Sequence, residues 1–165
     1  LKLEKMNGNA NRDLKVRLMK IIEVKENKKQ FLSLLLLADE QENMIDRYLE
    51  RGTMYVLDDN GVKAECVVAD EGDGILEIKN IATVPEYQGK GYAKALIDFI
   101  VKEYADKYSV LQVGTGDSPL TVPFYEKCGF VRSHIIPNFF TDNYDHPIFE
   151  CGVRLVDMVI FQRSL

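Results

Sequence analysis

The residues Gln88-Gly89-Lys90-Gly91-Tyr92-Ala93 follow a β-branched run broken at Pro85 and precede a clear amphipathic helical pattern. A strand, a glycine-rich turn and a helix N-terminus make an anion site. Unpaired N–H groups of the first helical turn converge there, and the helix dipole adds a favourable field. Gly89 and Gly91 let backbone approach a phosphate with no Cβ in the way. The turn alone leaves several readings open. A dinucleotide fingerprint needs G-x-G-x-x-G, but its third place is Lys94, and no acidic residue ends a suitable next strand. The Walker pattern is absent. A tight strand-to-helix connection with no ligand is the remaining alternative. Elsewhere, His134 and His146 lack any metal-ligand spacing. His146 with Phe139, Phe140 and Tyr144 reads either as the lining of an acceptor pocket or as cover for the core. Cys66, Cys128 and Cys151 are odd in number, widely spaced and in apolar surroundings, which predicts reduced, buried thiols rather than a disulfide framework or a zinc site.

The elements that must position these residues follow from periodicity and turn chemistry. Residues 1–13 are polar and rich in Asn and Gly, a flexible lead-in. Leu14 to Val24 predicts a first strand. Lys28 to Leu37 predicts an apolar helix, and Asp39 followed by Glu42 predicts a capped second helix with Met44, Ile45, Tyr48 and Leu49 on one stripe, ended by Gly52. Thr53 to Leu57 and Val62 to Ala69 read as strands joined by the hairpin turn Asp58-Asp59-Asn60-Gly61. An acidic turn, Asp70 to Gly74, leads into a strand from Ile75 to Val84. The next helix buries Ala95, Leu96, Phe99, Ile100 and Tyr104. Val110 to Val113 is a strand, Pro119 to Cys128 a helix ended by Gly129, and Phe130 to Ile136 and Gly152 to Gln162 two late strands around the aromatic-rich loop Pro137 to Glu150. The order specifies an α/β mixture whose sheet holds hairpins and at least one crossover.

Three features in order resemble one family. Gln88 to Ala93 fits Q/R-x-x-G-x-G/A, the pyrophosphate loop of the GCN5-related N-acetyltransferases, the GNAT superfamily. The preceding Ile81-Ala82-Thr83-Val84-Pro85 resembles that family's fourth strand, and Tyr125-Glu126-Lys127-Cys128-Gly129-Phe130 resembles the Y-x-x-x-G-F that closes its second cofactor motif. The element order is similar from about Leu14 to Gln162, and the aromatic loop and long last strand resemble uncharacterised stand-alone bacterial members. The resemblance implies a mixed, mostly antiparallel central sheet flanked by helices and splayed between strands four and five.

It also implies an acetyl-CoA-dependent N-acetyltransferase acting by direct transfer to an amine. The backbone of Ile81, Ala82 and Thr83 would pair with the pantetheine arm as an added strand. The N–H groups of Gly89, Lys90, Gly91, Tyr92, Ala93 and Lys94 would hold the pyrophosphate, with side-chain contacts from Gln88 and from Lys90, the latter otherwise a solvated charge. An alkyl ammonium of pKa about 10.4 must lose a proton before it attacks. Glu77, five residues before Ala82, is the implied base, or else a cross-strand charge partner. Tyr125 is the implied acid for the departing thiolate, since a phenol can donate at neutral pH. Cys128 reads as an acyl-carrying thiol or, more simply, a small buried hydrophobe. Ser118, preceded by Asp117, stands where many relatives carry a CoA-contacting Asn. Pro123 falls inside the expected helix, so that helix starts near Pro123 or is kinked.

Composition sets the outer bounds. The 165 residues carry 21 Lys plus Arg and 26 Asp plus Glu, a net charge of −5, with 46% hydrophobic and 28% charged residues. That predicts one folded domain, residues 14–165. The acidic balance argues against a nucleic-acid coat, and the stretch from Glu65 to Glu77, without Lys or Arg, favours a cationic acceptor. The longest apolar run, Phe31 to Ala38, falls short of the roughly 18 residues of a membrane span. With no signal-peptide pattern, the expectation is a cytoplasmic monomer or homodimer with a small-molecule or peptide amine substrate, without metal, nucleic acid or membrane. A catalytically silent CoA-binding regulatory module and a nucleotide-binding protein are the alternatives.

Overall fold

The computed structural model describes residues 19–165, so the expected lead-in over 1–13 and the start of the first strand lie outside the described residues. The strands are β1 (Met19–Val24), β2 (Thr53–Asp59), β3 (Val62–Asp70), β4 (Ile75–Thr83), β5 (Val110–Gly116), β6 (Val131–Ile136), β7 (Phe149–Glu150), β8 (Val153–Arg154) and β9 (Met158–Ser164). The helices are α1 (Leu32–Ala38), α2 (Glu42–Ile45), α3 (Tyr92–Tyr104), α4 (Val122–Lys127) and α5 (Phe139–Asn143), with 3-10 turns at Lys28–Phe31 and Pro85–Tyr87. Seven strands form one sheet in the order β1-β2-β3-β4-β5-β9-β6, antiparallel except for the parallel pair β4–β5. The crossover between that pair is α3, as a parallel connection requires.

Apolar side chains on the two faces explain the layers. Leu96, Ile97 and Ile100 of α3 pack on Leu57, Cys66, Val68, Ile78 and Leu111. On the other face Leu35 of α1 and Ile45 of α2 meet Met54, Val56 and Val67. Buried Lys28 ties the turn after α2, its Nζ donating to the carbonyls of Leu49 at 2.8 Å and Gly52 at 2.7 Å.

The feature that makes a site is the separation of β4 from β5. They pair only from Ile75↔Val110 to Ile78↔Val113. Beyond that, β4 stays with β3 while β5 stays with β9 as far as Gly116↔Met158. Lys79 is an extra residue at this point, because Val67 faces Asn80 while Val68 faces Ile78. A bulge bends and twists its strand, and here it turns β4 away from β5. The sheet is mixed and splayed as the family resemblance implies.

Four expectations change. Asp39 does not cap α2, whose N-cap is Gln41; it ends α1 and turns its carboxyl to two tyrosines. The helix carrying Tyr125, by contrast, takes the expected alternative of a start near Pro123: it begins at Val122, with Pro123 in its first turn, where a missing N–H costs nothing. The long last strand is split: Cys151 (φ 50°) and Gly152 (φ 74°) make a two-residue turn between β7 and β8, and β9 starts only at Met158. The aromatic loop contains α5, with Phe140, Ile148 and Leu155 as its own small core. Cys66 and Cys128 are buried, but Cys151 in that turn is exposed.

Candidate active site

A cleft of about 1150 Å³ fills the gap between β4 and β5 and runs from the glycine turn to α1 and the aromatic segment. At its first end, Gly91 (φ 87°) is the N-cap of α3 and Gly89 has φ 74°. A Cβ on either would meet nothing within 4 Å, so the space in front of this backbone is open. The first intrahelical bond here is Ala95 N–H to Gly91 O at 3.0 Å, which leaves the N–H groups of Tyr92, Ala93 and Lys94 without helical partners. The side chains of this turn mostly face elsewhere. Tyr92 Oη donates to Asp59 at 2.6 Å, Lys94 pairs with Asp98 at 2.6 Å, and Lys90 Nζ sits 5.2 Å from the Tyr87 ring centroid. Gln88 Nε2 donates to Thr83 O at 3.3 Å, tying the turn to the end of β4. The cradle is therefore mainly backbone.

Along the wall, Ile81, Ala82 and Thr83 lie on the half of β4 that has left β5. Opposite them, Tyr125 reaches the cleft from α4. Its placement follows from Gly129 (φ 85°). Gly129 N–H returns to Glu126 O at 3.0 Å and Phe130 N–H to Tyr125 O at 3.1 Å, a Schellman ending, with the Tyr125 and Phe130 rings 5.7 Å apart as its apolar contact. The Y-x-x-x-G-F pattern is thus a helix stop that clamps its own tyrosine. Burial, with Cys66, Cys128 and Glu150 nearby, pushes the Tyr125 phenol well above its ordinary value and keeps it protonated. Burial likewise raises the Cys128 thiol, a poor setting for a nucleophile. Ser118 is buried away from the cleft lining, and its Oγ accepts from Leu120 N–H at 3.1 Å in a local turn.

At the far end, Glu77 has both oxygens engaged, Oε1 with Lys79 Nζ at 2.8 Å and Oε2 with Gln112 Nε2 at 2.5 Å. Lys79 also lies 3.4 Å from Glu71, and Arg51 pairs with Glu71 at 2.6 Å. Burial opposes the charge on Glu71, but the two cations hold its carboxyl below the usual value. His134 and the aromatic segment line this end, while His146 stays on the exterior against Glu40 and Asp145. Among the described residues no cluster could hold a metal ion.

A family model described as an acetyltransferase (GNAT) domain matches residues 50–132. A curated relative, the uncharacterized N-acetyltransferase YvbK of Bacillus subtilis, is 36% identical over 137 residues, 81% of this chain and 88% of the relative. The chain belongs to the GNAT acetyltransferases. A GNAT structure from Elizabethkingia anophelis with acetyl-CoA bound superposes with a TM-score of 0.85 at 32% identity, covering 90% of this chain and 99% of that one. A Bacillus subtilis acetyltransferase in complex with CoA gives 0.81 at 34% identity, covering 89% and 99%.

This GNAT enzyme is an N-acetyltransferase with acetyl-CoA as co-substrate, and the cleft fits that molecule. It offers an open glycine cradle, a released strand edge and a cavity continuous with both. Reading the sequence missed two polar groups on the acceptor side of the sheet. Asn80 donates to Leu35 O at 3.0 Å and to Tyr48 Oη at 2.9 Å, yet its Oδ1 has no partner. Glu65 is 0% exposed with both oxygens unpartnered, so it adds nothing to the surface field expected of the Glu65–Glu77 stretch. Burial pushes its carboxyl up to about 8. A lone Glu in a β-branched run gives no signal of such burial.

Proposed function

We propose that this enzyme transfers the acetyl group directly to a primary amine held at the α1 end of the cleft. The observation that carries this reading is the single cavity that joins the glycine cradle, the free edge of β4, Tyr125 and the acceptor side. Both substrates can meet in it without a covalent intermediate on the protein. Ile81, Ala82 and Thr83 supply the strand edge for the pantetheine arm, and the N–H groups from Gly89 to Lys94 take the pyrophosphate. A free β4 N–H supports the developing oxyanion.

Tyr125 donates a hydrogen bond to the departing thiolate. A thiol of pKa about 8.5 is a stronger acid than this phenol, so the phenol stabilises the thiolate and solvent completes the protonation. Glu77 is the β4 carboxylate of the site; to act as the base it must first release Lys79 or Gln112. Ser118 holds the turn before α4 through its Oγ. A cytoplasmic setting is supported by the free thiols of Cys66, Cys128 and Cys151.

The test is free-thiol release from acetyl-CoA over a panel of amines, with the parent and Tyr125→Phe. The expected result is turnover by the parent and a lowered kcat at unchanged acetyl-CoA affinity in the variant, the pattern of an interaction made in the transition state. A parent that binds acetyl-CoA but acetylates no amine would favour the silent module, and an unchanged kcat would remove Tyr125.

A further inference from the structure

Asp39 ends α1 with its side chain on the acceptor end of the cleft. Tyr144 Oη donates to its Oδ1 at 2.7 Å and Tyr48 Oη to its Oδ2 at 3.1 Å. Tyr48 is held in turn by Asn80 of β4, so the carboxyl is gripped from the sheet and from the aromatic segment at once. A carboxylate offers about four acceptor sites, and the two phenols with the Gln41 N–H leave at least one free. Of the cations around it, Arg47 attracts it without forming an ion pair, and the others are committed. Lys79 serves Glu71 and Glu77, and Arg51 serves Glu71. Arg47, from the turn after α2, donates to Asn143 Oδ1 at 3.0 Å, and Glu40 faces His146. Glu65 lies buried on β3, close enough to Tyr48 to raise its phenol. Among the described residues Asp39 has no ion-pair partner, while Phe139, Phe140 and Tyr144 share the cleft with it.

We infer that Asp39 receives the ammonium group of the acceptor and takes its proton, and that the acceptor is a primary alkylammonium whose apolar or aromatic body lies against Phe139, Phe140 and Tyr144. This rests on the acetyl-transfer reading above. One N–H bond of the ammonium breaks, its proton goes to an Asp39 oxygen, and the electron pair stays on nitrogen. That pair forms the N–C bond to the thioester carbonyl carbon as the C–S bond breaks and its pair leaves on sulfur. The proton still in surplus on nitrogen balances the thiolate, and Asp39 returns its own to solvent. Glu77 is poorly set for this work because both its oxygens are taken. Burial lifts the Asp39 carboxyl above its ordinary value, against the pull of the Tyr144 and Tyr48 phenols, the Gln41 N–H and the Arg47 charge, which improves it as a proton acceptor. The apolar rings beside a carboxylate add a cation–π surface for the same ammonium.

The test uses benzylamine as the probe with the parent, Asp39→Asn, Tyr144→Phe and Glu77→Gln. Two quantities are measured: kcat/KM from about pH 5 to 9, and benzylamine binding to the CoA-saturated protein by calorimetry. Asp39→Asn should lose about 10²- to 10⁴-fold in kcat/KM and at least about tenfold in amine binding, while acetyl-CoA still raises its Tm as in the parent. Tyr144→Phe removes a donor to the charged carboxylate, so the acid limb of its profile should move to higher pH; a purely structural tyrosine would lower the rate without moving the limb. That variant decides the matter if Asp39→Asn does not fold. Parent-like rate and amine binding in Asp39→Asn, an unmoved limb in Tyr144→Phe, or loss of the limb in Glu77→Gln alone would overturn the inference and leave acetyl transfer standing. So would a parent that acetylates other amines but not benzylamine. A parent that acetylates nothing would overturn both.

Discussion

Glu65 carries a protonation cost that the folded enzyme bears at neutral pH. Its carboxyl sits at 4.5 when unperturbed and about 8 when buried, so the native state binds a proton that the unfolded chain has already lost. With the folded value raised, the full stability is present below pH 4.5 and falls as pH rises toward 8, by up to about 1.4 kcal/mol per pH unit. Glu65→Gln cannot ionise and should escape this slope. Urea unfolding of parent and variant between about pH 5.5 and 7.5 reads it directly: the stability difference should move in the variant's favour as pH rises. A difference that is constant with pH would mean that Glu65 stays charged and finds a partner. The same residue marks a limit of reading sequence. Glu65 and Glu77 are both glutamates in strands, and only the structure distinguishes the buried, unpartnered one from the one tied to Lys79 and Gln112.

Among the elements, the stop of α4 couples backbone geometry to the position of a side chain in the cleft. Gly129 occupies φ 85°, and a Cβ would stand 3.4 Å from Arg163 Nη1, the group that donates to Cys128 O at 2.6 Å. Gly129→Ala should therefore cost about 1 kcal/mol in urea unfolding. It should also lower kcat beyond what the fraction unfolded explains, since Tyr125 sits at the third position of the same motif. Equal stability would show that the turn tolerates a Cβ. Glycine turns of this kind are legible in the sequence: Gly91, Gly129 and the Asn60-Gly61 hairpin sit where elements begin, end or reverse, and the structure has φ 87°, 85°, 56° and 105° there. Asp39 is not, because an Asp three residues before Glu reads as a cap whenever a helix follows. Its real partners, Tyr48 and Tyr144, lie 9 and 105 residues away. The turn between β7 and β8 escapes a reading of the sequence for a related reason: Gly152 looks like a strand start, while its pairing with Cys151 in a two-residue turn depends on Phe149 facing Arg154.

For the molecule as a whole, ligand binding and folding are linked. Acetyl-CoA binds only the ordered cleft, so a hundredfold excess over Kd should add about 2.7 kcal/mol of stability, seen as a raised Tm, while NAD and ATP at the same concentration should add none. A shift with ATP and none with acetyl-CoA would mean that the glycine cradle holds a nucleoside triphosphate instead. The bulge at Lys79 has a consequence for traffic. By turning β4 off β5 it leaves a cleft with two ends, one lined by the start of α3 and the other by α1 and α5. Neither substrate has to pass the other to enter, and neither product waits for the other to leave. Binding order is then free: initial-rate lines in a two-substrate experiment should intersect, and CoA should compete with acetyl-CoA while leaving the amine end open.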